Sequence, residues 1–446
     1  MSTPRLARRH GVRVLAVLAL AQLAGVPSPA TAAAVAGSGS PVYANAHNYG
    51  PLSVSEDGRF VLFLSAADNL VAGDTNGYPD LYLLDSADGS FSRIDTHSSA
   101  EAPVYGDAAV SDDGRYVLFA SRYDPGSATL LAAAQVYRLD RDTGSVLRLS
   151  SDALGQPGNA NSYAHDLSAD GRYAVFSTDA GNLVGAAAGY GQVYRHDAVT
   201  GLRELVSGDS TGQPTAGHSA HAEITPDGRH VLFVSSALQL PAGTFAGTFV
   251  RDMVAGVTTL ASAANDGSAA LQGYVYAPAT ISCSNRRISA DGRFVVFDTI
   301  TPMAPGDTNG ELDVYVRDRV AGTTRWVSDA VGGTAPLEWN RCGSLSADGQ
   351  TVAYLSFFFA SDSRLYVRSL ADNTLTQAAS SGWGEAETLG SASLSGDGSA
   401  LFHTQAVPLF PFPQLVRWRQ SDGQAVLTQV PPSTVQIFAD SFGPAQ

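Results

Sequence analysis

The 446-residue chain contains no lysine, and all 27 of its basic residues are arginine. That absence excludes Schiff-base chemistry and any phosphate loop built around a lysine. Basic residues are outnumbered by 42 Asp and Glu, which leaves a net charge of −15. An acidic surface repels phosphate backbones and argues against nucleic acid as a partner. Cysteine is nearly absent: only Cys283 and Cys342 occur. In an oxidising compartment that pair permits one disulfide. Past the N-terminal region no segment approaches the ~20 apolar residues of a spanning helix, so no transmembrane segment is expected in the mature chain. Neither a His-x-x-x-His zinc helix nor a nucleotide-binding Gly-rich strand–helix unit is present.

The first residues read as an export signal. Arg5, Arg8, Arg9 and Arg13 precede or enter an apolar run from Val12 to Val26, and Ala30-Thr31-Ala32 offers a small-x-small cleavage site. This pattern is a targeting segment rather than part of a fold. Arg8-Arg9 lacks the surroundings of a twin-arginine signal, so Sec-type export is expected. Residues 1–32 are assigned to the signal peptide and 33–49 to a linker. Cleavage removes four arginines and takes the charge from −15 to −19. The mature protein is expected in the periplasm or outside the cell.

What the chain has in quantity is glycine (45), proline (22) and apolar residues (44%), with only 15% charged. That mixture suits short strands and tight turns around a substantial core. One phrase recurs seven times: SVSEDGRFVLF, AVSDDGRYVLF, DLSADGRYAVF, EITPDGRHVLF, RISADGRFVVF, SLSADGQTVAY and SLSGDGSALFH. Its Asp-Gly pairs begin at Asp57, Asp113, Asp170, Asp227, Asp291, Asp348 and Asp397, at spacings of 56, 57, 57, 64, 57 and 49 residues. Apolar and polar residues alternate on both sides, which is the period of a strand. The Ser-x-Asp-Gly between them is a reverse turn, with Asp bonding its own backbone and Gly supplying positive φ. In the last copy His403 replaces the Phe or Tyr of the other six.

A second phrase follows the first. Tyr82, Tyr137, Tyr194, Phe249 and Tyr315 are each followed three residues later by Asp85, Asp140, Asp197, Asp252 and Asp318. Four residues further on stand Gly89, Gly144, Gly201, Gly256 and Gly322. Copies six and seven keep the frame with Ser369 and Asn373, and with Arg419 and Gly423. This is another hairpin. Each unit therefore has four strands and cannot bury both faces alone. Closing such units into a ring leaves only short, protected edges. An all-β, seven-bladed β-propeller of four-stranded antiparallel blades over residues 50–430 is predicted, with 431–446 as a tail. A linear solenoid is the competing arrangement, but its repeats are usually shorter, roughly 20 to 45 residues.

The units resemble the WD40-like β-propeller repeats of the TolB type, often called PD40, whose core is Ser-Pro-Asp-Gly before an apolar strand. Thr225-Pro226-Asp227-Gly228 is close to that core, and other copies carry Glu, Asp, Ala or Gly in place of Pro. The resemblance covers about residues 50 to 430 and implies fold rather than function, because such repeats serve many roles. TolB-type proteins pair an α/β domain with a six-bladed propeller. The first unit here begins about twenty residues after the expected cleavage site, so a Tol–Pal role is not supported. Four strands can be counted in the seventh unit, up to Val426-Leu427, so ring closure requires no exchanged strand. The tail at Val435–Phe438 or the segment Pro41–Ala44 could still pair with an open edge. The ending Ile-Phe-Ala-Asp-Ser-Phe resembles C-terminal signatures of some exported Gram-negative proteins.

Two loops, Gly73-Asp74-Thr75-Asn76-Gly77-Tyr78-Pro79-Asp80 and Gly306-Asp307-Thr308-Asn309-Gly310-Glu311-Leu312-Asp313, space oxygen ligands around a glycine as calcium loops do. Calcium held by Asp74, Asn76, Asp80, Asp307, Asn309 and Asp313 is one reading. An Asn-Gly turn flanked by capping Asp residues is the other. Cys283 and Cys342 occupy near-equivalent places in adjacent units, and a disulfide between them would close a loop of about 59 residues, worth roughly 4 kcal/mol. Two buried thiols are the alternative.

Segments leading into the first strands should rim one end of the central channel. They supply Asn48, Tyr49, Tyr105, Asn161, His165, His218, His221, Asn285, Arg286, Trp339, Asn340 and Arg341. Such aromatic, amide and imidazole groups are what a binding face for a sugar, peptide or protein needs. The Gly208-Asp209-Ser210-Thr211-Gly212 match to a nucleophile elbow falls in an interblade loop without the required helix, and no catalytic residue is assigned. The expected role is a monomeric binding platform for a protein or glycan. The alternatives are an exported propeller enzyme, a polysaccharide lyase or hydrolase with its site in the channel, and a purely structural envelope component.

Overall fold

The computed structural model describes residues 44–94, 107–125, 127, 129–183, 189–241, 247–270, 286–329, 339–358, 362–380, 392–405, 414–423 and 425–427. The expected signal peptide, Tyr105, Cys283, Asn285, the side chain of Cys342 and the C-terminal tail lie outside these residues.

The protein is a seven-bladed β-propeller. Each blade is an antiparallel sheet whose strands are paired in chain order. Blade 1 runs from Asn48–Val54 to Ser90–Arg93, blade 3 from Ser162–Leu167 to Arg203–Leu205, and blade 7 from Ala392–Leu394 to Ala425–Leu427. In blade 5 the described part of the first strand is reduced to a bridge between Ile288 and Val295. No strand is exchanged between blades 1 and 7 among the described residues. The ring closes where the first strand of blade 7 packs on the first strand of blade 1. Gln414 also donates to the Ala44 carbonyl at 3.5 Å, tying the lead-in segment to blade 7.

The recurring phrases fold as their chemistry requires. In blade 1 the Ser55 hydroxyl donates to Asp57 at 2.8 Å and accepts the N–H of Phe60 at 2.9 Å, while Asp57 accepts the N–H of Arg59 at 2.9 Å. The Arg of the first phrase then reaches the Asp of the second. Arg59–Asp85, Arg115–Asp140, Arg172–Asp197, Arg229–Asp252 and Arg293–Asp318 pair at 2.7–2.8 Å. Blades 6 and 7 lack both members together, with Gln350 and Ser369 in one and Ser399 and Arg419 in the other. Across the second and third strands, aromatic pairs such as Phe176–Tyr194 stack at 5.9 Å. The core consists of layers between blades: Leu118, Val136 and Leu149 of blade 2 pack with Leu167, Phe176 and Tyr194 of blade 3.

The turn tips are linked around the axis. The second residue of the turn donates its N–H to the same residue of the next blade: Asp112 to Ala169 at 3.0 Å, Ala169 to Pro226 at 3.0 Å, Ala290 to Ala347 at 2.8 Å and Ala347 to Gly396 at 2.6 Å. Asp397 donates to Glu56 at 2.9 Å across the closing interface. Pro226 has no N–H to give, so the chain of bonds is broken between blades 4 and 5. These tips gather at one end of the channel. The first strands begin at the other, where the longer loops also lie.

Candidate functional site

The first strands wall the channel, and the residue two before the turn Ser or Thr decides what each blade offers its neighbour. That position holds Ser53, Ala109, Asp166, Glu223, Arg287, Ser344 and Ser393. The Ser53 hydroxyl accepts the N–H of Val110 at 3.3 Å, Asp166 accepts that of Ile224 at 3.0 Å, and Ser344 accepts that of Leu394 at 3.2 Å. Glu223 takes the N–H of Arg287 and pairs with its guanidinium. Between blades 5 and 6 the Leu345 N–H goes to the Arg286 carbonyl at 2.7 Å. At these five interfaces an edge amide of the kind a free strand would offer to a partner is thereby occupied.

Polar chemistry concentrates on blades 2 to 5. His165 approaches Asp107 with Nδ1 at 3.4 Å, and its Nε2 lies 2.9 Å from the Ser177 hydroxyl. The composition is that of a hydrolase triad, yet Ser177 is buried, and a nucleophile must reach its substrate. His221 lies beside His165, ring centres 6.2 Å apart. It adopts φ 52°, a conformation that costs a non-glycine residue energy and recurs at functional sites. Its carbonyl accepts from Arg287 at 2.8 Å. The surrounding protein, with His165 and Arg287 nearby, lowers the His221 pKa to about 4, although the residue is itself open to solvent. Burial and the Glu223 charge push Asp166 up to about 7, opposed by its two backbone hydrogen bonds.

The rim residues divide. Trp339, the first residue of the first strand of blade 6, and Tyr49, the second residue of that of blade 1, stand 60% and 54% exposed. Arg341 follows Trp339 on the same strand. Asn48 is buried, 4% exposed. His218 packs edge-on against Tyr190 and accepts the Gly191 N–H at 3.1 Å, in the groove between blades 3 and 4. Arg286 is paired with Glu56.

In the two oxygen-rich loops, Tyr82 donates to Asp74 and Tyr315 to Asp307. The Asn76 amide donates to Asp80 at 2.9 Å, and Asn309 does the same to Asp313 at 2.9 Å. Asn76 Oδ1 accepts the Tyr78 N–H at 2.9 Å, closing an Asx turn. Arg93 approaches Asp74 at 3.2 Å. One oxygen of each Asp74 and Asp307 carboxylate is thus engaged by a tyrosine, while the Oδ1 atoms of both are buried without a hydrogen-bond partner. No group of three or more His, Cys, Asp or Glu fit to hold a metal occurs among the described residues. The Gly208–Gly212 stretch is a turn in which Asp209 accepts the N–H groups of Thr211 and Gln213 at 2.8 and 3.0 Å.

Asp107, Asp166, Ser177, Glu223 and Arg287 were not among the rim residues read from sequence. For Asp166, Glu223 and Arg287 a signal existed: aligning the repeats shows charge at a position that is Ser or Ala in the other four copies.

No protein-family model matches the chain, and no curated protein matches it. Among solved structures, the β-propeller domain of the Trilobed protease from Pyrococcus furiosus, described as having an open velcro topology, aligns over 89% of this chain and 100% of its own. The identity is 11% and the TM-score 0.51. A puromycin-hydrolyzing peptidase of Mycobacterium tuberculosis aligns at 16% identity over 92% of this chain, with TM-score 0.51; the match spans 58% of the peptidase. TolB from Acinetobacter baumannii aligns at 14% identity over 78% of this chain and 75% of its own, with TM-score 0.38. What the two stronger likenesses share with this chain is the propeller fold.

Proposed function

We propose that this chain is an exported, non-enzymatic binding platform that takes a glycan at the channel mouth. One contrast carries the reading. The edge amides of Val110, Ile224 and Leu394 in three of the first strands are spent on neighbouring blades, while Trp339 and Tyr49 are left standing on the same rim. Peptide capture by strand addition needs free edge amides. A sugar needs flat, exposed rings and a few polar groups. Export is supported by the arginine-led apolar leader and its small-x-small site. A glycan screen with the mature chain tests the reading: binding is expected, and it should fall at least about tenfold in Trp339→Ala, the usual scale for losing a stacked aromatic. Retained binding in both Trp339→Ala and Tyr49→Ala would place the ligand elsewhere.

The Asp107–His165–Ser177 arrangement supports a second reading, an enzyme acting on polysaccharide within the channel. Turnover of a bound polysaccharide that is abolished in His165→Ala would favour it over the platform.

A further inference from the structure

One sector of the rim points to a class of glycan. Trp339 and Arg341 are two residues apart on the first strand of blade 6, so they lie on the same side of it. Asn340, between them, turns away and donates to Asp313 at 3.2 Å. Strand pairing sets Trp339 opposite Phe357 and Arg341 opposite Leu355. The Arg341 guanidinium lies 4.4 Å from the centre of the Phe357 ring.

That ring contact holds the guanidinium without using its N–H groups. Its Nε is buried with no hydrogen-bond partner, and no ion pair joins Arg341 to another described residue. The contrast with its neighbours is sharp: Arg286 and Arg287 are paired with Glu56 and Glu223. The nearest charge acting on Arg341 is Asp298, which lies beyond hydrogen-bond and ion-pair distance. A partly buried cation with unspent donors is stabilised by an incoming anion. A planar fork beside an exposed indole suits a carboxylate attached to a flat apolar sugar face.

We propose that Trp339 and Arg341 form a subsite for an acidic saccharide, with the indole stacking on the sugar ring and the guanidinium pairing with its carboxylate. The subsite rests on the glycan reading above.

Calorimetric titration of the mature chain tests it, using a hexamer of 1,4-linked uronic acids, its methyl ester and a neutral 1,4-linked hexose hexamer. The acid should bind about tenfold or more tightly than the ester, the scale of one charge-assisted pair. Arg341→Gln should erase that preference, bringing the acid and its ester to equal affinity. Arg341→Lys should restore part of it, and Trp339→Ala should weaken all three ligands. Melting temperatures report whether each variant folds, and the acid-to-ester comparison on the parent protein needs no variant. Equal affinity for acid and ester overturns the subsite and leaves glycan binding standing. No binding of any of the three ligands overturns both.

Discussion

The ring of Tyr116 occupies the space where a side chain on Gly171, in the next blade, would begin. A Cβ at Gly171 would fall 2.4 Å from that ring. The same relationship joins Tyr173 to Gly228 at 2.3 Å and Phe294 to Gly349 at 2.3 Å. The turn glycine is thus required twice, for its positive φ and for the aromatic residue of the preceding blade. At the closing interface the partner is small: Gly58 meets Ser395 at 3.2 Å.

Two glycines separate these requirements. Gly144 has φ 70° with nothing within 4 Å of its Cβ position, whereas Gly171 has φ 65° and Tyr116 against it. Gly144→Ala should cost about 1–2 kcal/mol, the left-handed penalty alone. Gly171→Ala should cost at least about 1 kcal/mol more through overpacking. Denaturant unfolding of both variants measures the difference; equal costs would mean that the blades yield without strain.

His403 should make the protein acid-sensitive. It is fully buried with neither ring nitrogen hydrogen-bonded, and burial lowers its pKa to about 4. The unfolded chain takes up the proton first, near pH 6.5, so its contribution to stability is intact above that pH. It is lost as pH falls towards 4, by an amount on the order of 3 kcal/mol. The buried His196 acts in the same direction. His403→Phe, restoring the repeat's aromatic, should flatten the fall in melting temperature between pH 6.5 and 4.5. A parallel fall in parent and variant would remove His403 as a cause.

The oxygen-rich loops are held by their own hydrogen bonds. Tyr82→Phe would leave the buried Asp74 carboxylate short of a donor, at a cost of about 1–3 kcal/mol. Addition of calcium or EDTA should leave the parent melting temperature unchanged. A rise with calcium that EDTA reverses would show that Asp74, Asp80, Asp307 and Asp313 take a cation instead.

Arg172 is 39% exposed and Asp197 only 7%, and Asp197 also accepts the N–H of Val199 at 2.9 Å. Asp197→Ala should therefore cost more stability than Arg172→Ala. Their coupling in a double-mutant cycle should not exceed about 1 kcal/mol, since the pair is solvent-screened. A coupling several times larger would indicate a pair that water does not reach.

The fold could be read from the sequence because the repeat states its own geometry. Ser55, Asp57 and Gly58 specify a turn, and the Arg59 and Asp85 positions vary together in blades 6 and 7. The rim was legible only as a region. Period-two strands place Asn48 and Trp339 at the same end of the channel, but not which one faces it, because a bulge in the first strands shifts the register between Asn48 and Pro51. The Asp107–His165–Ser177 contact joins blades 2 and 3 across 70 residues of chain, a proximity no local pattern encodes. In the oxygen-rich loops the Asp and Asn spacing was legible, while the contacts of Asp74 with Tyr82 and Arg93, which lie in the strands that follow, were not.

Quenching of tryptophan fluorescence by acrylamide, compared between the parent and Trp339→Phe so that Trp383 contributes equally to both, tests glycan recognition at Trp339 most directly, since Trp326 and Trp418 are buried and Trp339 is open to solvent. Saturating acidic hexasaccharide should shield a fraction of the emission from acrylamide, and that protection should disappear in Trp339→Phe. Binding that leaves the quenching curve unaltered would contradict a ligand seated on the indole.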